Sequence, residues 1–346
     1  MQDTARAAVI HAPHDLRIEA VPVPDAGAGE VRVRVRAGGI CGSDLHYFHD
    51  GGFGTVRIRE PMVLGHEIAG VVETVGAGVT GLHPGDLVAV NPSLPCGACR
   101  FCLAGMANHC LDMRFYGSAM RFPHVQGGFR EVLVCRAVQA VRAEMPPSRA
   151  AFAEPLAVCL HAVRQAGPLL GARVLVTGAG PIGALAVLAA RHAGARQIVA
   201  TDLLDAPLAL VGRLGADATH NLRAEPDALD RYGADKGVFD AVLECSGSGA
   251  ALAGAIPAAR PGAVIVQVGI GGAQTPVPLN AVVAKEITLR GTFRFDAEFA
   301  LAVDVLARGA IDIAPLLTAT LPLDRAGEAF ALASDRARAM KVQLGF

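Results

Sequence analysis

Several things are missing from this 346-residue chain, and each absence closes off a class of function. Excess charge of one sign is missing: 31 Lys and Arg stand against 32 Asp and Glu, a net charge of -1, so nothing marks a face for nucleic acid or an anionic membrane. Small molecules are the expected partners. Long uninterrupted apolar runs are also missing. The longest uncharged stretch, 261–284, is broken by three prolines and four glycines and does not read as a membrane-spanning helix. The opening Met1-Gln2-Asp3-Thr4-Ala5-Arg6 has neither the apolar core nor the cleavage pattern of a secretory signal. The expectation is a soluble, cytoplasmic protein. No repeat of fixed period and no low-complexity linker appears, and the length suits two domains, each with its own core.

Two textures divide the chain. Up to about residue 151, short Val-rich segments alternate with Gly and Pro turns; Val31-Arg32-Val33-Arg34-Val35-Arg36 has the strict period of two that a half-buried strand requires. Segments 68–75, 87–90 and 131–134 repeat that texture, so the first part reads as β-rich. Beyond it, the apolar runs 173–177, 197–201, 240–244 and 264–268 are separated by Ala/Leu-rich helical patterns. That alternation predicts an α/β domain of βαβ units around a parallel sheet.

Four cysteines fall within fifteen residues as Cys96-x2-Cys99-x2-Cys102-x7-Cys110. Short gaps bring thiolates together without disulfide strain, the pattern of a structural zinc. An iron–sulfur run would place the fourth cysteine sooner and follow it with proline, whereas Leu111 stands here; disulfides and unrelated buried thiols are the other readings. Cys135, Cys159 and Cys245 lack ligand spacing and read as core thiols.

Gly178-Ala179-Gly180-Pro181-Ile182-Gly183 lies between a predicted strand and a predicted helix. Glycines there allow a tight turn, backbone approach to a pyrophosphate, and helix-on-strand packing, with the helix N–H groups facing the phosphates. Asp202 follows Gly183 by 19 residues (202 - 183), where a ribose-binding acid belongs, and Leu203 and Leu204 bring no cation for a 2′-phosphate. The expected cofactor is NAD rather than NADP. The competing reading of Asp202 is a helix cap.

Cys41, His66, Glu67 and Glu154 are scattered, and each alone has a bland reading as a core thiol, a satisfied histidine or a helix-start carboxylate. What joins them is a resemblance. Gly65-His66-Glu67-x2-Gly70-x5-Gly76-x2-Val79 and Cys41-Gly42-Ser43-Asp44, followed in order by the cysteine lobe and the glycine fingerprint, resemble the zinc-dependent medium-chain alcohol and polyol dehydrogenases over essentially the whole chain. Segments 91–96, 112–115, 117–120, 122–129, 152–158 and 290–295 further resemble a branch of that family acting on a sugar acid.

The resemblance implies a GroES-like catalytic domain at 1–152 with a zinc lobe at 91–112, a Rossmann domain at 153–292, and a return to the catalytic domain at 293–346. It implies two zinc ions per chain. The catalytic one would be held by Cys41, His66 and Glu154, with Glu67 as alternative or supporting ligand. It further implies a proton path through Ser43 and His46, although His46 also reads as a surface histidine. The implied reaction moves hydride from the C5 hydroxyl of L-idonate to NAD, in a homodimer or homotetramer with the 286–290 strand at the dimer edge. Arg294 is the first choice to pair with the substrate carboxylate, beside Arg114, Arg121 and His124, with Tyr47 and Phe115 shaping the apolar wall; a planar guanidinium suits a carboxylate best. A general polyol dehydrogenase and a non-catalytic NAD(H)-binding scaffold are the alternatives.

Overall fold

The computed structural model describes residues 3–272 and 274–346; Met1 and Gln2 of the N-terminal stretch and Ala273 of the uncharged run lie outside them. The chain forms two compact units, one of Met1–Glu154, Phe299–Asp335 and Lys341–Phe346, the other of Pro155–Glu298 and Arg336–Met340.

In the first unit a seven-stranded sheet runs in the order Ala140–Arg142, Leu87–Val90, Glu67–Val75, Glu30–Gly39, Lys341–Gly345, Leu317–Pro322, with Val132–Arg136 also paired to Glu30–Gly39. The alternating segment behaves as its period demands. Val31, Val33 and Val35 are fully buried, while Arg32 and Arg34 point outward and both pair with Glu73 on the neighbouring strand. The last strand, Lys341–Gly345, lies antiparallel to Glu30–Gly39 with Gln343 opposite Gly39, and Gly39 is in turn opposite Glu67. The C-terminus therefore lies one strand away from Glu67.

The second unit is built on a six-stranded parallel sheet in the order Ala218–Asn221, Gln197–Asp202, Arg173–Thr177, Phe239–Glu244, Ala259–Gln267, Thr288–Gly291. Numbered along the chain this is 3-2-1-4-5-6, the doubly wound dinucleotide-binding order, whose switch point lies beside the first strand. Val174, Leu175 and Val176 are fully buried, as expected of a strand covered on both faces. Within the uncharged run, 261–267 belong to the strand Ala259–Gln267 and 279–284 form the short helix Leu279–Ala284. No helix among the described residues is long and apolar enough to cross a membrane.

Residues 293–298 stay with the second unit because Glu298, 1% exposed, accepts hydrogen bonds from Arg164 Nη1 at 2.6 Å, the Asp296 N–H at 2.9 Å and His161 Nδ1 at 3.1 Å. The return is also interrupted, since Arg336–Met340 packs with the second unit.

Burial would push the Glu298 carboxyl up, but the hydrogen bonds from His161 and the Asp296 N–H outweigh it and hold it down at about 2. A carboxyl depressed in the folded state contributes stability that is present above its unfolded pKa and lost as pH falls through the folded one. Glu298→Gln should therefore lower stability at pH 7 by about 1–2 kcal/mol, discounted because Arg164 is largely exposed, and the gap to wild type should close between about pH 4.5 and 2. Urea denaturation across that range checks it; a gap independent of pH contradicts the assignment.

Candidate active site and dinucleotide site

Cys41, His66 and Glu67 bring one ligand atom each to within 4.8 Å of one another. Cys41 is the cap residue of helix Gly42–Asp50, and its N–H donates to Asp44 Oδ2 at 3.0 Å. The other Asp44 oxygen accepts the Gly65 N–H at 3.2 Å and lies 3.8 Å from His66 Nδ1. Asp44, fully buried, thus ties the two ligand-bearing turns together, and burial pushes its own pKa up. His66 sits in the turn just before strand Glu67–Val75. Gly65 makes that turn at φ 92°, where a Cβ would strike the Phe129 ring at 2.1 Å. At Gly39 a Cβ would lie 1.9 Å from Glu67 Oε2, so this glycine makes room for the carboxylate.

Glu67 is 1% exposed, and Lys341 Nζ meets its Oε1 at 2.5 Å while also donating to Ile40 O at 3.0 Å. Burial alone would depress the lysine, but Glu67, Cys41 and Glu154 outweigh it and raise its pKa. Two buried atoms here, His66 Nδ1 and Glu67 Oε2, have no hydrogen-bond partner. Burial, then Glu67, pushes the Cys41 thiol up to about 11. A thiol, an imidazole and a carboxylate gathered in one buried place fit a divalent zinc, whose charge would displace the thiol proton.

Glu154 stands outside that three-residue cluster. It is buried close by, and desolvation raises its carboxyl to about 8, with His66 opposing and Glu67 and Cys41 adding to the rise. Of the expected residues, Cys41, His66 and Glu67 are gathered at one point and Glu154 lies beside them. Glu67 reaches the cluster because it follows His66 directly and Gly39 leaves its carboxylate space.

The residues expected around the substrate separate. Phe115 is buried with its ring 5.5 Å from that of His66. Tyr47 is 2% exposed, packs against Phe53, and its hydroxyl oxygen accepts the Ala119 N–H at 3.0 Å. His124 has no ring nitrogen to offer. Its Nε2 accepts the Arg59 N–H at 2.9 Å, which requires the proton on Nδ1, and that proton goes to Arg121 O at 2.7 Å. Arg121 pairs with Asp112. Arg114 and Arg121 line one cavity of about 400 Å³. Ser43 lies half-buried in the first turn of helix Gly42–Asp50, and His46 is exposed with Nδ1 3.3 Å from Asp50. Arg294 belongs to the second unit, at φ 54° with its guanidinium 4.8 Å above the Phe293 ring.

In the cysteine lobe all four sulfurs lie within 4.8 Å of one another, with Cys99 Sγ 3.6 Å from that of Cys102 and 4.0 Å from that of Cys110. A tetrahedral zinc with its usual sulfur bonds needs about 3.8 Å between sulfurs, far from the roughly 2 Å of a disulfide. Backbone N–H groups of Cys102 and Leu111 draw the Cys99 thiol down to about 6, while desolvation and the neighbouring sulfurs drive Cys102 up to about 12. Four crowded thiols cannot all ionise without a cation among them. Cys135 and Cys159 are core thiols, and Cys245 is half-buried.

In the second unit Gly178 takes φ 84° against Ser246, and a Cβ on Gly183 would lie 1.7 Å from Gly178 O, so both glycines are required by the turn. Pro181 opens helix Pro181–His192 with Ile182 behind it, and Gly180 leaves the backbone accessible above it. Asp202 Oδ2 accepts the Ala179 N–H at 2.7 Å and Oδ1 accepts the Leu203 N–H at 2.7 Å, clamping the acid to the fingerprint turn. This cradle fits a dinucleotide. The expectation of no cation beside Asp202 fails, because Arg336, distant in sequence, donates to Oδ2 at 2.8 Å. Arg336, Lys341 and Asp44 carry no recognised spacing. Asp44 lay inside the Cys41-Gly42-Ser43-Asp44 motif, which was the one available signal.

Comparison with known proteins accounts for this combination. Residues 27–146 match the alcohol dehydrogenase GroES-like domain, and 181–308 match the zinc-binding dehydrogenase domain. The chain is 46% identical to L-idonate 5-dehydrogenase (NAD(P)(+)) of Escherichia coli K12 over 91% of both chains, and 37% identical to sorbitol dehydrogenase of Macaca fascicularis over 93% of this chain and 90% of that one. The solved structure of the E. coli L-idonate enzyme superposes with a TM-score of 0.94 at 42% identity, covering 100% of this chain and 99% of that one. A zinc-binding dehydrogenase from Sinorhizobium meliloti 1021 bound to NADP superposes at 0.90 with 29% identity over 100% of both. With a GroES-like domain, a Rossmann sheet and a cysteine-histidine-glutamate cluster in one polypeptide, the chain belongs to the zinc-dependent medium-chain alcohol and polyol dehydrogenases and is an alcohol-type oxidoreductase using zinc and a nicotinamide cofactor.

Proposed function

We propose that this enzyme oxidises the C5 hydroxyl of L-idonate to the 5-keto acid, reversibly, with NAD as acceptor and two zinc ions per chain, one at Cys41, His66 and Glu67 and one in the cysteine lobe. The observation that carries the reading is the 46% identity to an L-idonate 5-dehydrogenase across 91% of the chain, with Cys41, His66 and Glu67 gathered at one buried point. When bound, zinc supplies Lewis-acid polarisation of the alcohol and the nicotinamide accepts the hydride. The protein's own residues do the rest. Asp44 ties the Cys41 turn to the Gly65 backbone that precedes His66; Lys341 holds Glu67 in position while leaving its second oxygen open; Phe115 keeps one side of His66 apolar. Ser43 and His46 are proposed to pass the alcohol proton to solvent, with Asp50 steadying the exposed imidazole. Glu154, protonated near neutral pH by its burial, is proposed as a nearby acid or reserve ligand.

For the substrate carboxylate, Arg294 and Arg114 are the proposed partners, on the match between a planar guanidinium and a carboxylate. Self-association is proposed through strand Thr288–Gly291, which ends its sheet with all four residues exposed. The general polyol reading is supported by the 37% identity to sorbitol dehydrogenases.

A panel of sugar acids and polyols assayed for NADH formation separates these readings. L-idonate should exceed sorbitol in kcat/KM, and Arg114→Ala or Arg294→Ala should lower the L-idonate value about 30-fold, roughly 2 kcal/mol, with less than threefold change for sorbitol. A preference for sorbitol favours the polyol reading, and no NADH from any substrate favours the scaffold. Lys341→Met should destabilise the chelator-treated protein by about 3 kcal/mol in urea denaturation, because it strands the Glu67 carboxylate. Unchanged stability removes Lys341 from its positioning role.

A further inference from the structure

A carboxylate offers about four acceptor positions, and at Asp202 four donors occupy them. Oδ1 accepts the N–H groups of Leu203 at 2.7 Å and Leu204 at 3.2 Å; Oδ2 accepts the Ala179 N–H at 2.7 Å and Arg336 Nη2 at 2.8 Å. Three of these donors are backbone groups fixed by the strand-to-helix turn and the fingerprint. The fourth is a long side chain, 55% exposed, against an Asp202 side chain that is 4% exposed. A ribose hydroxyl can gain a place on Asp202 only by displacing a donor, and Arg336 is the one able to move.

The guanidinium also overhangs the fingerprint. A Cβ on Gly180 would lie 3.6 Å from Arg336 Nη2 and 3.8 Å from its Nε. Arg336 therefore touches both the acid at the ribose position and the glycine turn that phosphates approach. Chain routing puts it there: Arg336–Met340 leaves the first unit to pack with the second, and the chain rejoins the first at Lys341.

We propose that Arg336 is a cofactor-specificity residue that lets this enzyme take NADP as well as NAD. This deepens the reading of the glycine fingerprint as a nicotinamide dinucleotide site and rests on it. Alone, Asp202 would repel a 2′-phosphate. Paired with Arg336 it carries no net charge, and on swinging from Asp202 the planar fork can present two N–H donors to phosphate oxygens. With NAD the same swing exposes Oδ2 to the ribose hydroxyl, so one acid and one mobile cation serve both cofactors.

The test is fluorescence titration of NADH and NADPH into the metal-loaded wild type and Arg336→Ala, a binding readout independent of turnover. Wild type should bind both. Arg336→Ala should weaken NADPH at least tenfold and alter NADH by less than threefold, the retained NADH binding showing that the unit is folded. Parallel weakening of both cofactors, or no change in either, overturns the proposal. Wild type binding NADH but not NADPH overturns it too while leaving the fingerprint reading intact; binding of neither removes both. If Arg336→Ala does not fold, Arg336→Gln, which keeps the length and removes the charge, carries the same comparison.

Discussion

A carboxylate that is 1% exposed, with one oxygen on a lysine and the other on nothing, organises the first unit. Leaving such a charge unpaired costs about 3–5 kcal/mol, so Glu67 demands Lys341, and Lys341 demands that the C-terminal strand lie against Glu30–Gly39. Gly39 and Gly65 follow from the same demand, one leaving room for the Glu67 carboxylate and the other turning the backbone so that His66 joins it. One lysine does not balance the whole cluster. Cys41 and Glu154, held up at about 11 and about 8, keep their protons near neutral pH, and a divalent cation is the group that would release them.

The two parts most legible in the sequence are those whose chemistry is local. Cys96, Cys99, Cys102 and Cys110 come together because their gaps are short, and Gly178 to Gly183 form one turn followed by one helix. The alternation from Val31 to Arg36 similarly encodes a strand with Val inside and Arg outside. What escaped is non-local. Lys341 and Arg336 act on residues 274 and 134 positions away, and no spacing rule connects them. The engagement of His124 is non-local for a related reason: the Arg59 N–H and the Arg121 carbonyl take its two ring nitrogens, and no spacing announces the first of these. The contacts of Glu298 with Arg164 and of Arg336 with Asp202 are likewise long-range and leave no trace in the texture.

The second unit applies the same economy of charge at lower burial. Asp202 is tied down by backbone donors and met by one exposed cation, so its electrostatic character depends on where a single side chain sits. Buried pairing at Glu67 makes a fixed site, whereas half-exposed pairing at Asp202 makes an adjustable one. Both cations come from the last eleven residues of the chain, 336–346, which join the two units in turn.

The central claim, that Cys41, His66 and Glu67 hold a metal distinct from that of the cysteine lobe, is tested most directly by counting zinc per chain in the dialysed wild type, Cys41→Ser and Cys99→Ser. The account predicts two zinc ions in the wild type and one in each variant, with the remaining ion in Cys41→Ser held as tightly against chelator as the lobe ion of the wild type. Two ions retained in Cys41→Ser, or a single ion in the wild type that Cys99→Ser alone removes, would contradict it.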